Sequence, residues 1–451
     1  MNICALATGR GGAIAIIRVS GPDAILIVEK CFRPVKDGKK LTEAKGQSLH
    51  YGHLMNGDSI IDEVLVAVFK APHSYTGENS VEISCHASSY IINSILQTLI
   101  DGGCRQALPG EYTQRAFLNG KMDLSQAEAV ADIIASTNAA THKMAMSQLR
   151  GNFSSELAHL REKLLKLTSL IELELDFSDH EELVFADRTE LIELSGLIKD
   201  KVRSLAESFK TGQALKHGVP VAIVGKTNVG KSSLLNRLLH EDKAIVSNIH
   251  GTTRDVIEDS INVRGIDFRF IDTAGLRATD DEIERIGIER TRQKLSEATI
   301  VLWLVDEALT QKKITEIRNE VNDQKLIIVR NKIDIAGSIN TMIKTDIPVV
   351  SISAKENIGI DTLEDALVVA ADIPEISEND IIITSARHYD ALTKAYEGLQ
   401  RVVDGLNTDL PTDLLAEDLR EVLSVLGEIT GGAVSSSETL ENIFRHYCIG
   451  K

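Results

Sequence analysis

The chain has 451 residues, of which 43% are hydrophobic and 4% aromatic, and its formal net charge at pH 7 is −17. This length predicts about two to four domains with mostly aliphatic cores, and the acidic balance argues against non-specific binding of nucleic acid. The five cysteines form no CxxC pair and no apolar run is long enough to span a bilayer, so we expect reduced thiols and a cytoplasmic location.

The first 118 residues have the pattern of a compact α+β domain. Short β-like runs at 13–19, 62–69 and 80–84 alternate with glycine-rich turns, and an apolar helix is predicted near 90–100.

Residues 119–215 are helical in pattern almost throughout. Aliphatic residues recur at steps of three and four over 157–171 and over 191–205, with an acidic break at 176–182 between them. This spacing predicts two amphipathic helices in an antiparallel pair. Residues from about 383 to 446 are helical in pattern again. We therefore expect the helical halves 119–215 and 376–451 to pack together as one discontinuous domain.

The region from 216 to 375 alternates apolar strands with polar or helical segments. The predicted strands are 219–224, 268–271, 300–305, 326–329 and 349–352. Such alternation predicts a mostly parallel sheet with helices on both faces, inserted between the two helical stretches. The expected fold class is therefore multidomain, with α+β, helical and α/β parts.

Residues 225–232 read GKTNVGKS, which fits the GxxxxGK[ST] phosphate-binding pattern between a strand and an apolar helix. Glycines allow backbone N–H groups to turn toward the phosphates, and the helix N-terminus adds partial positive charge. We expect Lys231 to reach the β- and γ-phosphates and the Ser232 hydroxyl to bind Mg²⁺. The candidate nucleotide-binding residues of this loop are Asn228, Val229, Gly230, Lys231, Ser232 and Ser233.

Two further motifs complete the phosphate side of the site. Residues 272–275 read DTAG after a predicted strand, so Asp272 can hold Mg²⁺ through water and Gly275 can donate its N–H to the γ-phosphate. Residues 251–255 read GTTRD in an expected mobile loop, where Thr253 is the second Mg²⁺ ligand. The candidate nucleotide-binding residues here are Ser247, Asn248, Ile249, His250, Gly251, Thr252, Thr253, Asp272, Thr273, Ala274 and Gly275.

The base-binding motif predicts guanine. Residues 331–334 read NKID, and a carboxylate at Asp334 can accept two hydrogen bonds from guanine N1–H and its exocyclic amine. Adenine cannot supply that pair, which leaves the carboxylate unsatisfied. The candidate base-binding residues are Asn331, Lys332, Asp334, Ser353, Ala354 and Lys355. Together the motifs predict GTP binding and hydrolysis.

The hydrolytic group is less evident. The position after the DxxG glycine, where Ras-like proteins place a water-orienting glutamine, is Leu276. A carboxylate of the acidic segment 280–284 can polarise water instead, although acidic residues also mark solvated helix starts. No arginine finger is evident, and Arg254 is kept as a catalytic candidate. A side-chain oxygen of Asn228 can help to bind a monovalent cation beside the phosphates.

Several longer segments resemble one family, the tRNA-modification GTPases called MnmE or TrmE. The resemblance covers residues 9–451. Its most specific segments are GRGG at 9–12 with Arg18, PGEYTQRAFLN at 109–119, DLSQAEA at 123–129, DTAGLR at 272–277, ERIGIER at 284–290 and CIGK at 448–451.

The resemblance implies four domain segments: an N-terminal tetrahydrofolate-binding and dimerisation domain at 1–118, helical halves at 119–215 and 376–451, and an inserted Ras-like P-loop G domain at 216–375. It implies a homodimer that forms a heterotetramer or larger complex with an FAD-containing MnmG-like partner. That complex would add an aminomethyl-type group to C5 of the wobble uridine of certain tRNAs. The implied cofactors are Mg²⁺, K⁺ and 5-formyl- or 5,10-methylene-tetrahydrofolate, and GTP is the implied substrate.

The resemblance also assigns residues. It implies magnesium ligation by Ser232 and Thr253 and water orientation by Glu284. The potassium ligands it implies are Asn228, Ser247, Ile249 and Thr252, and the folate contacts are Arg18, Glu82, Lys121 and Lys451. The chain departs from the family pattern at 5–8 and 86–89, so we expect a somewhat differently shaped folate pocket.

Cys448 is a further candidate. A thiol near a flexible end is accessible, and Arg445, His446 and Lys451 can lower its pKa. An inert tail cysteine is the plainer interpretation from composition, and the family match favours participation in the chemistry at the folate site.

Two other classes of protein share the GTPase motifs. A GTP-dependent RNA or ribosome assembly factor would carry an appended basic RNA-binding domain and would perform no covalent chemistry on RNA. A regulatory switch would hydrolyse GTP slowly without an activator. The combination of Arg18, Glu82 and Lys121 with a terminal CIGK favours modification over the assembly factor, and fast intrinsic turnover in K⁺ would count against the switch.

Overall fold

The structure is a computed structural model that describes residues 1–9, 11–35, 40–176, 188–242, 260–271, 297–307, 309–321, 324–335, 345–374, 377, 380–408, 410–432, 440, 443–444, 447 and 450. The chain divides into two compact units. The first unit comprises Met1–Ala135, Ala145–Arg203 and Asp390–Lys451, and the second comprises Ser136–Met144 and Ser204–Tyr389.

A seven-stranded sheet organises the N-terminal part of the first unit, in the order β3-β4-β5-β6-β2-β1-β7. All neighbours are antiparallel except β1 and β7. Its strands are β1 (Ile3–Leu6), β2 (Ile14–Ser20), β3 (Phe32–Pro34), β4 (Ser48–Asn56), β5 (Ser59–Phe69), β6 (Ser80–His86) and β7 (Arg105–Gln106). The three predicted β-like runs correspond to β2, β5 and β6.

The two faces of this sheet differ. Side chains alternate between the two faces along β5, so Val64, Val66 and Val68 point to one face. There they are buried in a hydrophobic core together with side chains of α1 (Ala24–Cys31) and α2 (Ser89–Asp101). The opposite face, which we call the open face, exposes the apolar side chains of Ile14, Leu49, Tyr51 and Leu65. Tyr51 and Leu65 are direct cross-strand partners there.

Five helices follow the sheet in chain order: α3 (Glu111–Leu118), α4 (Leu124–Ala135), α5 (Ala139–Leu149), α6 (Asn152–Asp176) and α7 (Arg188–His217). The predicted apolar ladder of α6 is buried, with Leu164, Leu167 and Ile171 fully so. Lys201 of α7 lies 3.2 Å from Glu156 near the start of α6, which fits an antiparallel arrangement of the two helices.

The second unit contains a six-stranded sheet in the order β13-β12-β11-β8-β10-β9. Its strands are β8 (Val219–Val224), β9 (Ser260–Val263), β10 (Ile266–Phe270), β11 (Ile300–Val305), β12 (Lys325–Arg330) and β13 (Val349–Ser351), and its helices are α8 (Lys231–Asp242), α9 (Gln311–Glu320) and α10 (Ile360–Ala371). All pairs are parallel except β9 with β10. The predicted α/β architecture is therefore present, and β9 is an antiparallel edge strand that the sequence pattern missed.

The later part of α7, from Ser204, and the residues up to Tyr389 also belong to the second unit. Gln213 donates from Nε2 to the carbonyl oxygen of Thr384 at 2.8 Å, and the rings of Phe209 and Tyr389 stack with centroids 4.5 Å apart. Residue 215, the predicted end of the first helical stretch, thus lies inside a continuous helix.

Two C-terminal helices complete the first unit, α11 (Ala386–Asn407) and α12 (Thr412–Thr430). α12 packs along α6 and contacts α4, and Lys199 of α7 donates to Gln400 of α11 at 3.2 Å. The helical stretches before and after the α/β sheet therefore pack together. Within the described residues, no helix combines the length and apolar character needed to cross a bilayer.

Candidate functional site

The phosphate-binding loop leaves β8 and enters α8 at Lys231, as the sequence predicts. Gly225, Asn228 and Gly230 all have positive φ, of +152°, +63° and +97°. Glycine adopts such angles without strain and asparagine tolerates them better than most residues. The turn therefore follows from residue type, and it directs the loop over the N-terminus of α8, where backbone N–H groups favour an anion.

Asn331 joins this loop to the base-binding segment. Its side chain is buried, donates from Nδ2 to the carbonyl of Val229 at 2.8 Å, and accepts from the N–H of Ala354 at 3.1 Å. A side chain at Gly230 would collide with this same Nδ2. Asn331 therefore connects two loops that are far apart in sequence.

The two lysines of the site hold different carbonyls. Lys231 Nζ donates to the carbonyl oxygens of Gly225 and Lys226 at 2.8 and 2.7 Å, which keeps the ammonium inside the loop. Lys332 Nζ donates to the carbonyl of Asn228 at 2.7 Å and pairs with Asp306 at the same distance. Both ammonium groups thus lie along the loop that the sequence assigns to phosphates.

Asp334 and Ser353 form the base-binding end. The Ser353 hydroxyl donates to Asp334 Oδ1 at 2.6 Å, and this hydrogen bond lowers the pKa of Asp334 below its ordinary value. Ser353 is fully buried whereas Asp334 is exposed, so a fixed donor orients a carboxylate that faces outward. An ionised, oriented carboxylate can accept the two hydrogen bonds that guanine offers.

Two supporting contacts were not predicted from the sequence. Arg237 of α8 donates to the carbonyls of Ala354 and Lys355 at 3.3 and 3.1 Å, which fixes the loop after β13. Glu307 accepts from Lys226 at 2.7 Å and from Lys313 at 2.6 Å, and those ammonium groups lower the pKa of Glu307 to about 2. Neither arginine nor glutamate belongs to a motif, so local spacing gave no signal for them.

A second group of polar residues surrounds Arg18 in the first unit, and we call it the Arg18 cluster: Arg18, Tyr75, Glu82, Tyr112 and Gly450. Arg18 pairs with Glu82 at 2.7 Å across neighbouring strands β2 and β6. Its guanidinium lies 5.5 and 5.6 Å from the ring centroids of Tyr75 and Tyr112, within range of cation–π attraction. The fully buried Tyr112 also donates its hydroxyl to the Arg18 carbonyl at 2.7 Å.

The C-terminal segment reaches the same cluster. Arg18 Nη1 donates to the carbonyl oxygen of Gly450 at 3.3 Å. Gly450 has φ of +100°, and a side chain there would collide with the backbone of Leu6 and Ala7. Only glycine fits this close approach, which explains the residue type two positions after Cys448.

Lys121 lies near the same loop without touching Arg18. Its Nζ donates to the carbonyl of Pro72 at 3.1 Å, and its side chain packs under Gly77. The loop that carries Tyr75 therefore lies between Arg18 and Lys121, two of the three predicted folate-contacting cations.

A salt-bridge network supports this region. Glu111 at the start of α3 accepts from Arg105 at 2.5 Å and from Arg115 at 3.0 Å. Burial alone would raise the pKa of Glu111, but the hydrogen bonds from Arg105, the Leu108 N–H and Arg115 lower it. Glu111 therefore stays ionised and anchors α3 beside the sheet.

The remaining predicted site residues lie outside the described residues. They are Ser247, Asn248, Ile249, His250, Gly251, Thr252, Thr253, Arg254, Asp272, Thr273, Ala274, Gly275, Glu284, Cys448 and Lys451. Their assigned roles stay predictions.

Comparison with known proteins gives two family matches. The family model described as the MnmE helical domain matches residues 124–448, and the one described as the GTP-binding protein TrmE N-terminus matches residues 2–121. Among solved structures, the G domain of the T. maritima FeoB iron transporter is 25% identical and covers 34% of this chain and 99% of that one. Its TM-score of 0.26 supports no inference.

Curated relatives match from end to end. A "tRNA modification GTPase MnmE" from Bacteroides fragilis is 54% identical over 463 residues, covering 100% of this chain and 99% of the relative. The protein of the same name from Bacteroides thetaiotaomicron gives the same identity and coverage, and that from Parabacteroides distasonis is 53% identical over 461 residues. The chain therefore belongs to the MnmE family of tRNA-modification GTPases.

Proposed function

We propose that this GTPase of tRNA modification is activated by potassium and works with an FAD-containing, MnmG-like partner. Together they would add an aminomethyl or carboxymethylaminomethyl group to C5 of the wobble uridine of certain tRNAs. The one-carbon unit would come from 5-formyl- or 5,10-methylene-tetrahydrofolate. The observation that carries this proposal is the Arg18 cluster, because it gathers two predicted folate residues and the C-terminal segment at one place in the first unit.

The nucleotide chemistry would use the loop after β8. Lys231 would bind the β- and γ-phosphates, and Asp334 would select guanine. Ser232, Thr253 and Asp272 would hold Mg²⁺, which neutralises phosphate charge when bound. Of these three residues, Ser232 is the one that the structure describes, and its position is suitable for a Mg²⁺ ligand. It is exposed and follows Lys231 directly in the first turn of α8.

The potassium site would be formed by Asn228, Ser247, Ile249 and Thr252. Asn228 supports the assignment because its side chain is exposed at the phosphate loop and makes no hydrogen bond to the described residues. A cation there adds the positive charge that an arginine supplies in other GTPases. Glu284 would orient the attacking water, and Arg254 remains the second catalytic candidate.

The Arg18 cluster suits a folate for chemical reasons. A pterin ring presents an N–H and an amine on one edge, and a carboxylate such as Glu82 accepts that pair as Asp334 accepts guanine. Tyr75 offers an aromatic surface that is partly exposed, and Lys121 and Lys451 offer cations for the glutamate tail. Cys448 lies two residues from the docked Gly450, so its thiol would take part beside the same ligand.

A homodimer would form through the N-terminal domain. The open face leaves Ile14 66%, Leu49 64%, Tyr51 50% and Leu65 41% exposed, and exposed apolar residues grouped on one face mark interaction surfaces. The heterotetramer or larger complex with the partner, the tRNA substrate and a cytoplasmic location complete the proposal.

The modification is tested by nucleoside mass spectrometry of tRNA from a deletion strain that expresses wild type, Arg18→Ala, Glu284→Ala or Cys448→Ser. We expect wild type to restore the C5-substituted wobble uridine and the three variants to lower it at least tenfold. Arg33→Ala is the matched control, since Arg33 is an exposed arginine 3.8 Å from Asp58. An unchanged nucleoside profile on deletion would overturn the modification and make an assembly factor the leading alternative.

Two assays of the purified chain test the remaining parts. Hydrolysis should be faster in K⁺ than in Na⁺ at equal concentration, and Asn228→Ala should remove that difference. Leu65→Glu should convert a dimer to a monomer in light scattering. Leu26→Glu serves as its control because Leu26 on α1 is similarly exposed, at 45%, but lies away from the open face.

A further inference from the structure

The connection between α4 and α5 belongs to the second unit, although most of the residues around it in sequence belong to the first. Residues Ser136–Met144 pack with the α/β sheet, whereas α4 and the later part of α5 are assigned to the first unit. A short helical connection is thus part of the GTPase unit.

Asp267 on β10 is the residue that this connection contacts. Asn138 Nδ2 donates to Asp267 Oδ2 at 2.6 Å, and the Thr137 hydroxyl donates to the same oxygen at 3.2 Å. The other oxygen, Oδ1, accepts from Asn262 Nδ2 at 2.5 Å across the β9–β10 hairpin. One carboxylate therefore ties the hairpin to the α4–α5 connection.

The orientation of both asparagines is fixed by other bonds. Asn138 caps α5, since its Oδ1 accepts from the Thr141 N–H at 2.8 Å, so only its Nδ2 remains for Asp267. Asn262 Oδ1 accepts from the Gly265 N–H at 3.0 Å, which likewise leaves Nδ2 for Asp267. The direction of the hydrogen bond from each asparagine to Asp267 is therefore specified.

The β9–β10 hairpin lies in sequence between two of the predicted nucleotide-binding motifs. β9 begins at Ser260, seven residues after Thr253, and β10 ends at Phe270, two residues before Asp272. Two of the three proposed magnesium ligands, Thr253 and Asp272, thus lie in the segments directly before and directly after this hairpin. β10 also pairs in parallel with β8, which leads into the phosphate loop.

We propose that Asn138 is a positioning residue for GTP hydrolysis, acting through Asp267. By holding the hairpin, it fixes Ser260 and Phe270, the strand ends from which the chain continues to residues 253 and 272, so this role rests on the proposed magnesium ligation. Because coupling between two sites is reciprocal, a nucleotide-dependent shift of the hairpin also acts on the connection between α4 and α5.

A donor–acceptor exchange tests the contact without removing the helix cap. In Asn138→Asp, the new carboxylate still caps α5 but lies against the carboxylate of Asp267 and repels it. In Asp267→Asn, the new amide has one oxygen and one NH₂ group, so its NH₂ group must face the NH₂ group of either Asn138 or Asn262. The double variant Asn138→Asp/Asp267→Asn pairs them again, with the new amide donating to the new carboxylate. The chain thus supplies two disruptive single variants and one restoring double variant.

We expect each single variant to lower kcat for GTP hydrolysis about five- to tenfold, in the range of ordinary coupling free energies. The double variant should return kcat to within about twofold of wild type. GDP affinity should stay within about twofold throughout, since the phosphate loop and Asp334 are untouched, whereas general misfolding would lower it together with kcat.

Unchanged kcat in Asn138→Asp, or a double variant no better than the singles, would overturn the proposal. Wild-type hydrolysis with and without Mg²⁺ separates the two hypotheses. If hydrolysis does not need Mg²⁺, the proposed ligation fails, whatever the exchange variants do.

Discussion

The nucleotide loop of the second unit and the Arg18 cluster of the first unit are built from different parts of the chain. The nucleotide loop depends on backbone conformation: Gly225 and Gly230 have positive φ, and Lys231 and Asn331 bind main-chain carbonyls. The Arg18 cluster depends on side chains, with Glu82 and two tyrosine rings around one guanidinium.

Because of this difference, the two sites should be sensitive to different kinds of substitution. A loop shaped by backbone angles fails when a glycine gains a side chain, and a cluster of side chains fails when one of them is shortened. The two sites also lie in separate units, so we expect variants in the first unit to leave GTP binding and hydrolysis unchanged.

The largest effect is expected for Lys231→Ala. Loss of two charge-assisted hydrogen bonds to phosphate should cost about 4 kcal/mol, roughly a 10³-fold loss in kcat/KM for GTP. The neighbouring Lys226→Ala is the control, because Lys226 pairs with an exposed Glu307 and such pairs contribute about 0–1 kcal/mol. Steady-state hydrolysis assays measure both, and equal losses would contradict the assigned role of Lys231.

Gly230→Ala should have the next largest effect. The left-handed backbone strain and the collision with Asn331 together should cost about 2 kcal/mol, roughly a 30-fold loss of GTP affinity by titration calorimetry. Gly57→Ala matches it in the first unit, since Gly57 has φ of +60° with no atom within 4 Å of the added carbon. If Gly57→Ala lowered GTP affinity as much, the independence of the two units would be wrong.

Glu111→Gln tests the first unit through pH. The pKa of Glu111 is lower in the folded protein than its unfolded value near 4.5. The ionised carboxylate therefore stabilises the fold above the unfolded pKa, and this stabilisation is lost as the pH falls through the folded pKa. At neutral pH the variant should lose about 2 kcal/mol of unfolding free energy, and the difference from wild type should shrink on acidification. Denaturant unfolding across that pH range measures it, and a constant difference would exclude the ion pairs as its cause. GTP hydrolysis should not change.

Ser353→Ala should have the smallest effect. The Ser353 hydroxyl orients Asp334 and lowers its pKa, and loss of one such hydrogen bond should cost about 1 kcal/mol, roughly fivefold in GTP affinity. Ser377→Ala is a control outside the site. An effect as large as that of Gly230→Ala would show that Ser353 contributes more than orientation.

Much of the nucleotide site could be predicted from the sequence because each part is local. The glycines, Lys231 and Asp334 sit at the ends of β8 and β12, and parallel strands bring their carboxyl ends to one edge of the sheet. The strands themselves were found because buried parallel strands are continuous apolar runs. The strands β3, β7 and β9 have only two to four residues each, which is too few to show the alternation of apolar and polar residues that identifies a strand.

Long-range contacts could not be predicted in this way. Arg18 meets Gly450 across 432 positions, and Arg237 meets Lys355 across 118. No spacing rule connects such residues, since packing of whole elements brings them together. Resemblance to a family pointed to Arg18 and Glu82, but the two tyrosine rings near the guanidinium were found only in the structure.

The second unit is formed by two separate segments of the chain, and this limits which fragments of the protein can be studied alone. A fragment cut at 216–375, the boundaries that motifs suggest, would sever α7 and discard both stacked rings of Phe209 and Tyr389. Even a fragment spanning 204–389 would lack Thr137 and Asn138 and would keep, among the described residues, the contact of Asp267 with Asn262 in its own hairpin. Kinetic constants measured on such fragments would describe a GTPase whose edge hairpin is released, and the whole chain is the proper reference for them.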